Sequence, residues 1–163
     1  MQGKIVQLPE MSMVGASFTG PFQSLGVEMP KLWEAFFQRV SEIGQIKNPS
    51  CFYDVSDQSK VSAHQLYTEY IAVEVEKFDR IPEGMVGFMI PARSYAVFTH
   101  QGPMDRVPAT YQHAFEWISG QGLSVAEQAL RLERYDERYF PPRHAAERED
   151  NAYDILIPLV SGN

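Results

Sequence analysis

The hydrophobic and polar positions of the chain follow the spacing of a strand in some segments and that of a helix in others. This pattern predicts strands and helices in a repeating order. Residues 4–19 are apolar in short runs broken at a proline, which predicts two short strands or one bent strand. After a Gly-Pro turn, apolar residues at helical spacing run from Leu32 to Ile43 and predict a helix. Two further strands are predicted at residues 50–55 and 68–77.

The same order of elements returns in the second half of the chain. With a shift of 82 residues, Gly20-Pro21 falls on Gly102-Pro103 and Tyr53-Asp54 falls on Tyr135-Asp136. The corresponding strands and helix are predicted at residues 85–99, 105–120, 129–138 and 153–160. We therefore expect one domain, residues 1–163, built from an internal repeat of residues 1–81 and 83–163.

This repeat predicts an α+β fold made of two β-α-β-β units related by pseudo-twofold symmetry. Strands that must bury one face and helices with one apolar stripe combine most simply as two layers. We expect an antiparallel sheet with both helices on one face and a ligand groove on the other.

The predicted strand at 129–138 carries the residues that point to a function. Side chains alternate along a strand, so Glu133 and Tyr135 share one face. A carboxylate beside an aromatic ring attracts an organic cation through charge and through the ring quadrupole. The 82-residue shift matches Glu133 with Cys51 and Tyr135 with Tyr53, which predicts a groove with one off-centre carboxylate and tyrosines from both halves. An amphipathic strand with a solvated polar face remains the alternative interpretation.

Composition narrows the range of partners. The chain is 44% hydrophobic and 12% aromatic with a net charge of -7, and its basic residues are scattered. Phosphate-mediated binding of nucleic acid depends on clustered positive charge, so no direct nucleic-acid partner is expected. No apolar run reaches the roughly 18 residues of a membrane span, and Cys51 has no second cysteine to pair with. We expect a cytoplasmic protein without a membrane partner.

Other chemistries lack their sequence patterns. The histidines and Cys51 show no CxxC, HxxxH or HExxH spacing, and the glycines form no phosphate-binding loop. No serine lies in a nucleophile elbow. We expect neither a metal nor a cofactor.

Several short motifs, taken in their order and spacing, resemble one known family. They are Ile90-Pro-Ala-Arg-Ser-Tyr95, Phe98-Thr-His-Gln-Gly-Pro103, the helix with Trp117, Leu132-Glu-Arg-Tyr-Asp136 and Tyr153-Asp-Ile-Leu-Ile-Pro158. Together they resemble the GyrI-like family, the effector-binding domain of AraC-type and MerR-type multidrug regulators, which also occurs as a stand-alone bacterial protein.

The resemblance implies the duplicated fold and a groove for lipophilic cations or other aromatic effectors. The family's pocket glutamate maps onto Glu133. The ligand contacts expected in this chain are Glu133, Tyr135, Tyr53, Tyr95, Trp117 and Tyr153. The sequence shows no basic DNA-binding segment, so a stand-alone effector-sensing or drug-sequestering protein is expected, with a homodimer as one possible assembly.

Two other functions stay open. Relatives of this fold include hydrolases of strained, drug-like molecules, and here Glu133 could act with Tyr135 as the catalytic residues. Another branch of the family implies a protein-interaction modulator such as a gyrase inhibitor, which the acidic loop at residues 147–150 could serve.

Overall fold

The computed structural model describes residues 2–57 and 65–161 of the chain. Within these ranges the helices are α1 (Phe22–Arg39) and α2 (Val107–Gly120), and short 3-10 turns follow α1 and precede α2. The strands are β1 (Lys4–Leu8), β2 (Met11–Pro21), β3 (Phe52–Asp57), β4 (Leu66–Val75), β5 (Val86–Ile90), β6 (Arg93–Gln101), β7 (Arg131–Tyr135) and β8 (Ala152–Pro158).

All eight strands join one antiparallel sheet in the order β1-β6-β8-β7-β3-β4-β2-β5. The first strand of each half crosses over to pair with the other half, since β1 pairs with β6 and β5 pairs with β2. At the centre β3 of the first half pairs with β7 of the second. The predicted α+β fold, with its duplicated units and pseudo-twofold axis, is confirmed.

The two helices pack on the flanks of one face of the sheet. Helix α1 lies against β2 and β4 and buries Trp33 and Phe36, whereas α2 lies against β6 and buries Ala114 and Ile118. Each large apolar side chain buried in this way contributes roughly 1.5–3 kcal/mol. The central strands β3 and β7 therefore lie between the helices and form the floor of a cleft.

The opposite face of the sheet is covered by side chains from its own strands. Side chains from β2, β3, β6, β7 and β8 form a second core there, which includes Met13, Tyr53, Tyr95, Leu132 and Leu156. A curled sheet can bury both of its faces in this way. The second core leaves this face filled by the chain's own side chains.

At the central strands, the residues that are equivalent in the two halves of the structure differ from those that the 82-residue shift of the sequence matched. Gly20 and Gly102 correspond, as predicted, because each lies at the end of its long strand before a helix. When the strand pairing is followed from these glycines, Asp54 of the first half is equivalent to Glu133 of the second. Glu133 lies 79 residues further along the chain and directly opposite Asp54 in the ladder.

The predicted matches of Tyr53 with Tyr135 and of Cys51 with Glu133 are therefore wrong. The connections between each helix and its next strand differ in length, which shifts the register by three residues relative to the expected 82. An odd shift moves a side chain to the other face of a sheet, so Tyr53 and Tyr135 lie on opposite faces.

Candidate functional site

Glu133 lies at the centre of the cleft, where its carboxylate accepts three tyrosine hydrogen bonds. The hydroxyl of Tyr111 on α2 donates over 2.6 Å, that of Tyr135 over 2.9 Å and that of Tyr153 over 3.2 Å. Contact with α2 places Glu133 on the face that carries the helices. Glu133, around which the groove was expected, therefore lies on the helix-bearing face and not on the opposite one.

Aromatic rings surround Glu133 on one side. Tyr135 and Tyr153 stack with 4.6 Å between ring centroids and an interplanar angle of 13°, because they face each other on paired strands. Trp33 of α1 meets the ring of Tyr135 edge-on at 5.1 Å. The predicted strand face of Glu133 and Tyr135 is confirmed, with Arg131 also on this face.

The tyrosine hydroxyls keep their protons. Burial raises the pKa of Tyr111, Tyr135 and Tyr153, and the negative charge of Glu133 raises each of these pKa values further. A protonated hydroxyl donates to a carboxylate but does not neutralise it. The site thus holds the Glu133 carboxylate in a fixed orientation with three donors that carry no positive charge.

Two more carboxyl groups, missed by the sequence prediction, extend the site. Asp54 lies opposite Glu133 in the ladder, and Glu69 lies on the neighbouring strand β4, where its charge acts on the carboxyl group of Asp54. Ser56 donates to Glu69 over 2.7 Å. The only available signal was the position of Asp54, a charge between apolar neighbours in a strand.

The carboxyl groups of Asp54 and Glu69 both have raised pKa values. Burial raises the pKa of Asp54 well above its ordinary value, and the charge of Glu69 raises it further. Burial also raises the pKa of Glu69. One oxygen of Asp54, Oδ1, is buried and has no hydrogen-bond partner among the described residues.

No cationic side chain of the described residues lies at ion-pair distance from Glu133, Asp54 or Glu69. Arg131 shares their face, but its guanidinium lies over the rings of Tyr111 and Phe115, at 5.5 and 5.3 Å from their centroids. The centre of the cleft is therefore a concentration of negative charge beside aromatic rings.

A cavity of about 420 Å³ opens next to this cluster, between α1 and the segment that follows β7. This volume suits a small organic ligand. Tyr135 connects the cavity to the carboxylate, because its ring lines the wall while its hydroxyl donates to Glu133. The other lining residues include Met29, Trp33, Met104, Tyr139 and His144.

The remaining predicted ligand contacts lie elsewhere. Tyr53 and Tyr95 are buried in the core of the opposite face. Trp117 packs edge-on against Phe98 with 5.5 Å between ring centroids. The structure thus brings Glu133, Tyr135 and Tyr153 together and adds Tyr111 and Trp33, which lie on the apolar faces of their helices and also pack in the core.

Two further observations concern the described residues as a whole. They contain no group of three or more potential metal ligands. Neither α1 nor α2 is long and apolar enough to cross a membrane.

Solved structures with the same fold include ligand-binding and regulatory proteins. The structure of SAV2435 bound to tetraphenylphosphonium matches 98% of this chain and 94% of its own, with a TM-score of 0.74 and 16% identity. The EcmrR C-terminal domain matches 99% of this chain and 98% of its own, with a TM-score of 0.69 and 19% identity. At these identities the likeness establishes the fold.

Sequence comparison gives the family. The transcriptional regulator BrlR of Pseudomonas aeruginosa is 29% identical over 160 residues, which are 98% of this chain and 56% of BrlR. The chain thus spans a little over half the length of that regulator. The model of the GyrI-like small molecule binding domain matches residues 1–160. The resemblance drawn from the sequence motifs is therefore confirmed, and the chain belongs to the family of GyrI-like small molecule binding domains.

Proposed function

We propose that this chain binds a lipophilic organic cation in the cleft between the helices, with Glu133 as the counter-charge. The observation that carries the proposal is the setting of Glu133. Its half-buried carboxylate accepts three tyrosine hydroxyls and forms no ion pair with any residue that the structure describes.

A cation is the ligand that this setting favours. An ionised carboxylate loses hydration when it is buried, and only an opposite charge compensates well for that loss. The ring of Tyr135, which lines the cavity, adds attraction for a cation placed over its face. A neutral ligand would gain the apolar contacts but would leave the charge of Glu133 uncompensated.

The cavity favours a lipophilic ligand over a small hydrated one. Its walls are largely aromatic and aliphatic, with Trp33, Tyr135 and Met29 among the lining residues. Tetraphenylphosphonium, which is bound in the SAV2435 structure, is a cation of this chemical kind. The same kind of ligand in this chain would place its charge toward Glu133 and its rings along the cavity.

The biological role that fits such binding is effector sensing. BrlR is a transcriptional regulator, and the match to this chain covers 56% of it. Reversible binding of a cation by this region would supply the ligand-dependent signal in a regulator, or sequester the ligand when no other region is present. Both uses require affinity for the cation without turnover.

A pair of ligands with similar outline and different charge tests the proposal. Tetraphenylphosphonium and neutral triphenylphosphine oxide are titrated by calorimetry into the wild type and into Glu133→Gln. Loss of the charge should weaken tetraphenylphosphonium binding about 10- to 100-fold, which corresponds to the roughly 1–3 kcal/mol of a charge-assisted contact. Binding of triphenylphosphine oxide should change much less.

The matched control is Glu127→Gln, which removes an exposed carboxylate from the same chain. It should leave both affinities within about twofold, since exposed charges are screened by solvent and salt. Equal losses for both ligands in Glu133→Gln would mean that Glu133 shapes the cleft and does not recognise charge.

The hydrolase alternative is supported by one observation: Asp54, a buried carboxyl group of raised pKa, lies directly opposite Glu133 in the ladder. A protonated carboxyl group near an ionised one can serve as an acid and a base in hydrolysis. Styrene oxide, a strained aromatic epoxide, is a direct probe. Formation of the diol by the wild type, and its loss in Glu133→Gln, would replace the binding account with an enzymatic one.

A further inference from the structure

We propose that the protonation state of His144 decides whether the cavity accepts a cation: the neutral imidazole admits one, and the imidazolium excludes it. This inference rests on the proposed function, because it concerns the cavity next to Glu133. It adds a specificity-determining residue to that site and implies that the ligand is released in mildly acidic solution.

His144 is distinguished by its chemistry among the described residues that line the cavity. It is half-buried there, and the other lining side chains are uncharged at neutral pH. Tyr135 and Tyr139 are the remaining titratable ones, and burial raises the pKa of each above its ordinary value. An imidazole is the side chain that ordinarily gains a charge between about pH 5 and pH 8.

A tight turn fixes the imidazole in the cavity wall. The amides of Arg143 and His144 both donate to the carbonyl oxygen of Phe140 over 2.9 Å. In return, the amide of Phe140 donates to Nδ1 of His144 over 2.9 Å. Pro141 and Pro142, whose rings restrict the backbone, lie within this turn and also line the cavity. The imidazole therefore belongs to the same turn as the wall.

The contact with the Phe140 amide fixes the tautomer of His144. A backbone N–H can only donate, so Nδ1 must be unprotonated and the neutral ring carries its proton on Nε2. A proton on Nδ1 would set two donors against each other and break the contact. The wall seen in the structure is thus the wall formed by neutral His144.

Phe140 connects this turn to the rest of the cleft. Its ring lies 5.0 Å from that of Phe52 and 4.9 Å from that of Phe37, measured between centroids. It also meets Trp33 edge-on at 6.1 Å, and Trp33 lines the cavity from α1. A movement of the turn that follows loss of the Nδ1 contact would therefore alter both walls.

The imidazole also borders a second cavity of about 290 Å³, which lies on the other side of the turn. The charged and titratable groups that face His144 from its own segment and across this second cavity are Tyr139, Arg143, Glu147, Asp150, Asp136 and Glu137.

These groups do not screen the first cavity. Asp150 pairs with Arg148 over 3.1 Å, and Asp136 pairs with Arg138 over 2.9 Å. Helix α1 and the turn before α2 present only uncharged side chains to the first cavity. None of the described residues that line this cavity is a carboxylate, so nothing there screens a charged His144 from a bound cation.

Protonation of His144 would weaken cation binding in two ways. A ligand in a cavity of about 420 Å³ has its charge within about one Debye length of the wall, roughly 10 Å at 0.1 M salt, so the two positive charges repel each other. Protonation also removes the acceptor that holds the turn. A neutral ligand is affected only by the second change.

The same coupling acts in reverse. A bound cation disfavours the charged form of His144, so binding releases a proton at a pH where the imidazole is partly protonated. This proton release is a readout that a purely structural role of His144 would not give.

Calorimetric titration of tetraphenylphosphonium at about pH 8 and about pH 5.5 tests the inference. The affinity of the wild type should fall about tenfold or more at the lower pH. At about pH 6.5, binding should release roughly half a proton, measured in buffers of different ionisation enthalpy. Neutral triphenylphosphine oxide should lose less than about threefold between the same two pH values.

The substitution His144→Asn separates the charge from the contact. Its amide oxygen can stand in for Nδ1 as the acceptor of the Phe140 amide, but it does not titrate. The variant should bind tetraphenylphosphonium within about threefold of the wild type at about pH 8 and should lose most of the pH dependence and proton release. The matched control is His113→Asn, which removes an exposed histidine of α2 and should keep both.

Nitrogen-15 NMR of the wild type gives a second test that needs no substitution. It should show His144 as the Nε2–H tautomer, and saturating tetraphenylphosphonium should move its titration to lower pH. The Nδ1–H tautomer, or a titration that the ligand does not move, would overturn the inference.

The outcomes also distinguish this inference from the proposed function. If tetraphenylphosphonium binds in a Glu133-dependent way and His144→Asn shows the same pH dependence as the wild type, the inference is wrong and the proposed function holds. If tetraphenylphosphonium fails to bind at about pH 8, where an imidazole is neutral, the proposed function is wrong and the inference falls with it.

Discussion

Two acidic residues on neighbouring strands, Asp154 on β8 and Glu133 on β7, lie on opposite faces of the sheet and have opposite surroundings. Asp154 receives hydrogen bonds from Arg134 and Arg138 at 3.0 Å each and from Thr99 at 2.8 Å. Burial alone raises the pKa of Asp154, but the hydrogen bonds from Arg138, Thr99 and Arg134 outweigh burial and hold this pKa below its ordinary value.

Glu133 receives hydrogen bonds from tyrosines alone. Its neighbours orient the carboxylate without adding a positive charge, whereas Arg134 and Arg138 together balance the charges of Asp154 and Asp136. The comparison indicates that the chain completes the charge balance on the face that serves stability and leaves it incomplete on the face that we propose binds a ligand.

The largest effect on stability should come from Asp154→Ala. This substitution removes the ion-pair partner of Arg134 and leaves Arg138 paired with Asp136 alone. We expect the free energy of unfolding to fall by about 2–3 kcal/mol, less than for a fully buried pair because both arginines are partly exposed. Urea denaturation followed by tryptophan fluorescence measures it.

The comparison predicts that Glu133→Gln changes the stability of the protein only slightly. The change in unfolding free energy should stay within about 1 kcal/mol, because the amide keeps the shape and no ion pair is lost. If Glu133→Gln destabilised the protein as much as Asp154→Ala does, the two faces would not differ in the way proposed.

Asp54→Asn should change how stability depends on pH. The raised pKa of Asp54 means that the folded protein keeps a proton which the unfolded chain has lost above about pH 4. The free energy of unfolding therefore falls as pH rises through this window, and the asparagine variant should lack that fall. We expect the variant to be about 1 kcal/mol more stable than the wild type at neutral pH.

Asp154 provides the internal contrast for that experiment. Its lowered pKa gives stability that is present above about pH 4 and is lost as pH falls through the folded value. Thermal unfolding of Asp54→Asn and Asp154→Asn between about pH 3 and pH 8 should thus give deviations of opposite slope from the wild type. Parallel curves would contradict the assignment of the two carboxyl groups.

The smallest expected effect concerns Tyr53→Phe. Tyr53 lies in the core opposite the cleft, so loss of its hydroxyl should leave tetraphenylphosphonium affinity within about twofold. Tyr135→Phe removes a donor to Glu133 and should weaken the same binding about threefold to tenfold. Calorimetry on both variants checks whether the face of the sheet decides the effect.

Local patterns in the sequence predicted much of this structure. The apolar stripe of α1 and the alternation of Glu133 with its neighbours on β7 are each visible within about ten residues, where the periods of helix and strand fix side-chain direction. The repeat was visible as well, because the Gly-Pro turns of both halves stand 82 residues apart.

The sequence did not show which residues come together to form the site, because this depends on strand register and tertiary contacts. A three-residue shift at the central strands pairs Asp54 with Glu133, although the matching Tyr-Asp dipeptides suggested a different register. Tyr111 sits in a helical stripe that also packs the core, and only the tertiary contact shows that its hydroxyl reaches Glu133. Glu69 reaches the site through the pairing of β3 with β4.

The central claim is that an organic cation binds on the helix-bearing face at Glu133. A crystal structure of this chain with tetraphenylphosphonium tests it most directly, because it locates the charge relative to both faces. The account predicts the phosphonium between α1 and α2, with its phenyl rings against Tyr135 and its phosphorus within about 6 Å of the Glu133 carboxylate. A phosphonium bound on the Asp154 face, or at a place remote from Glu133, would contradict it.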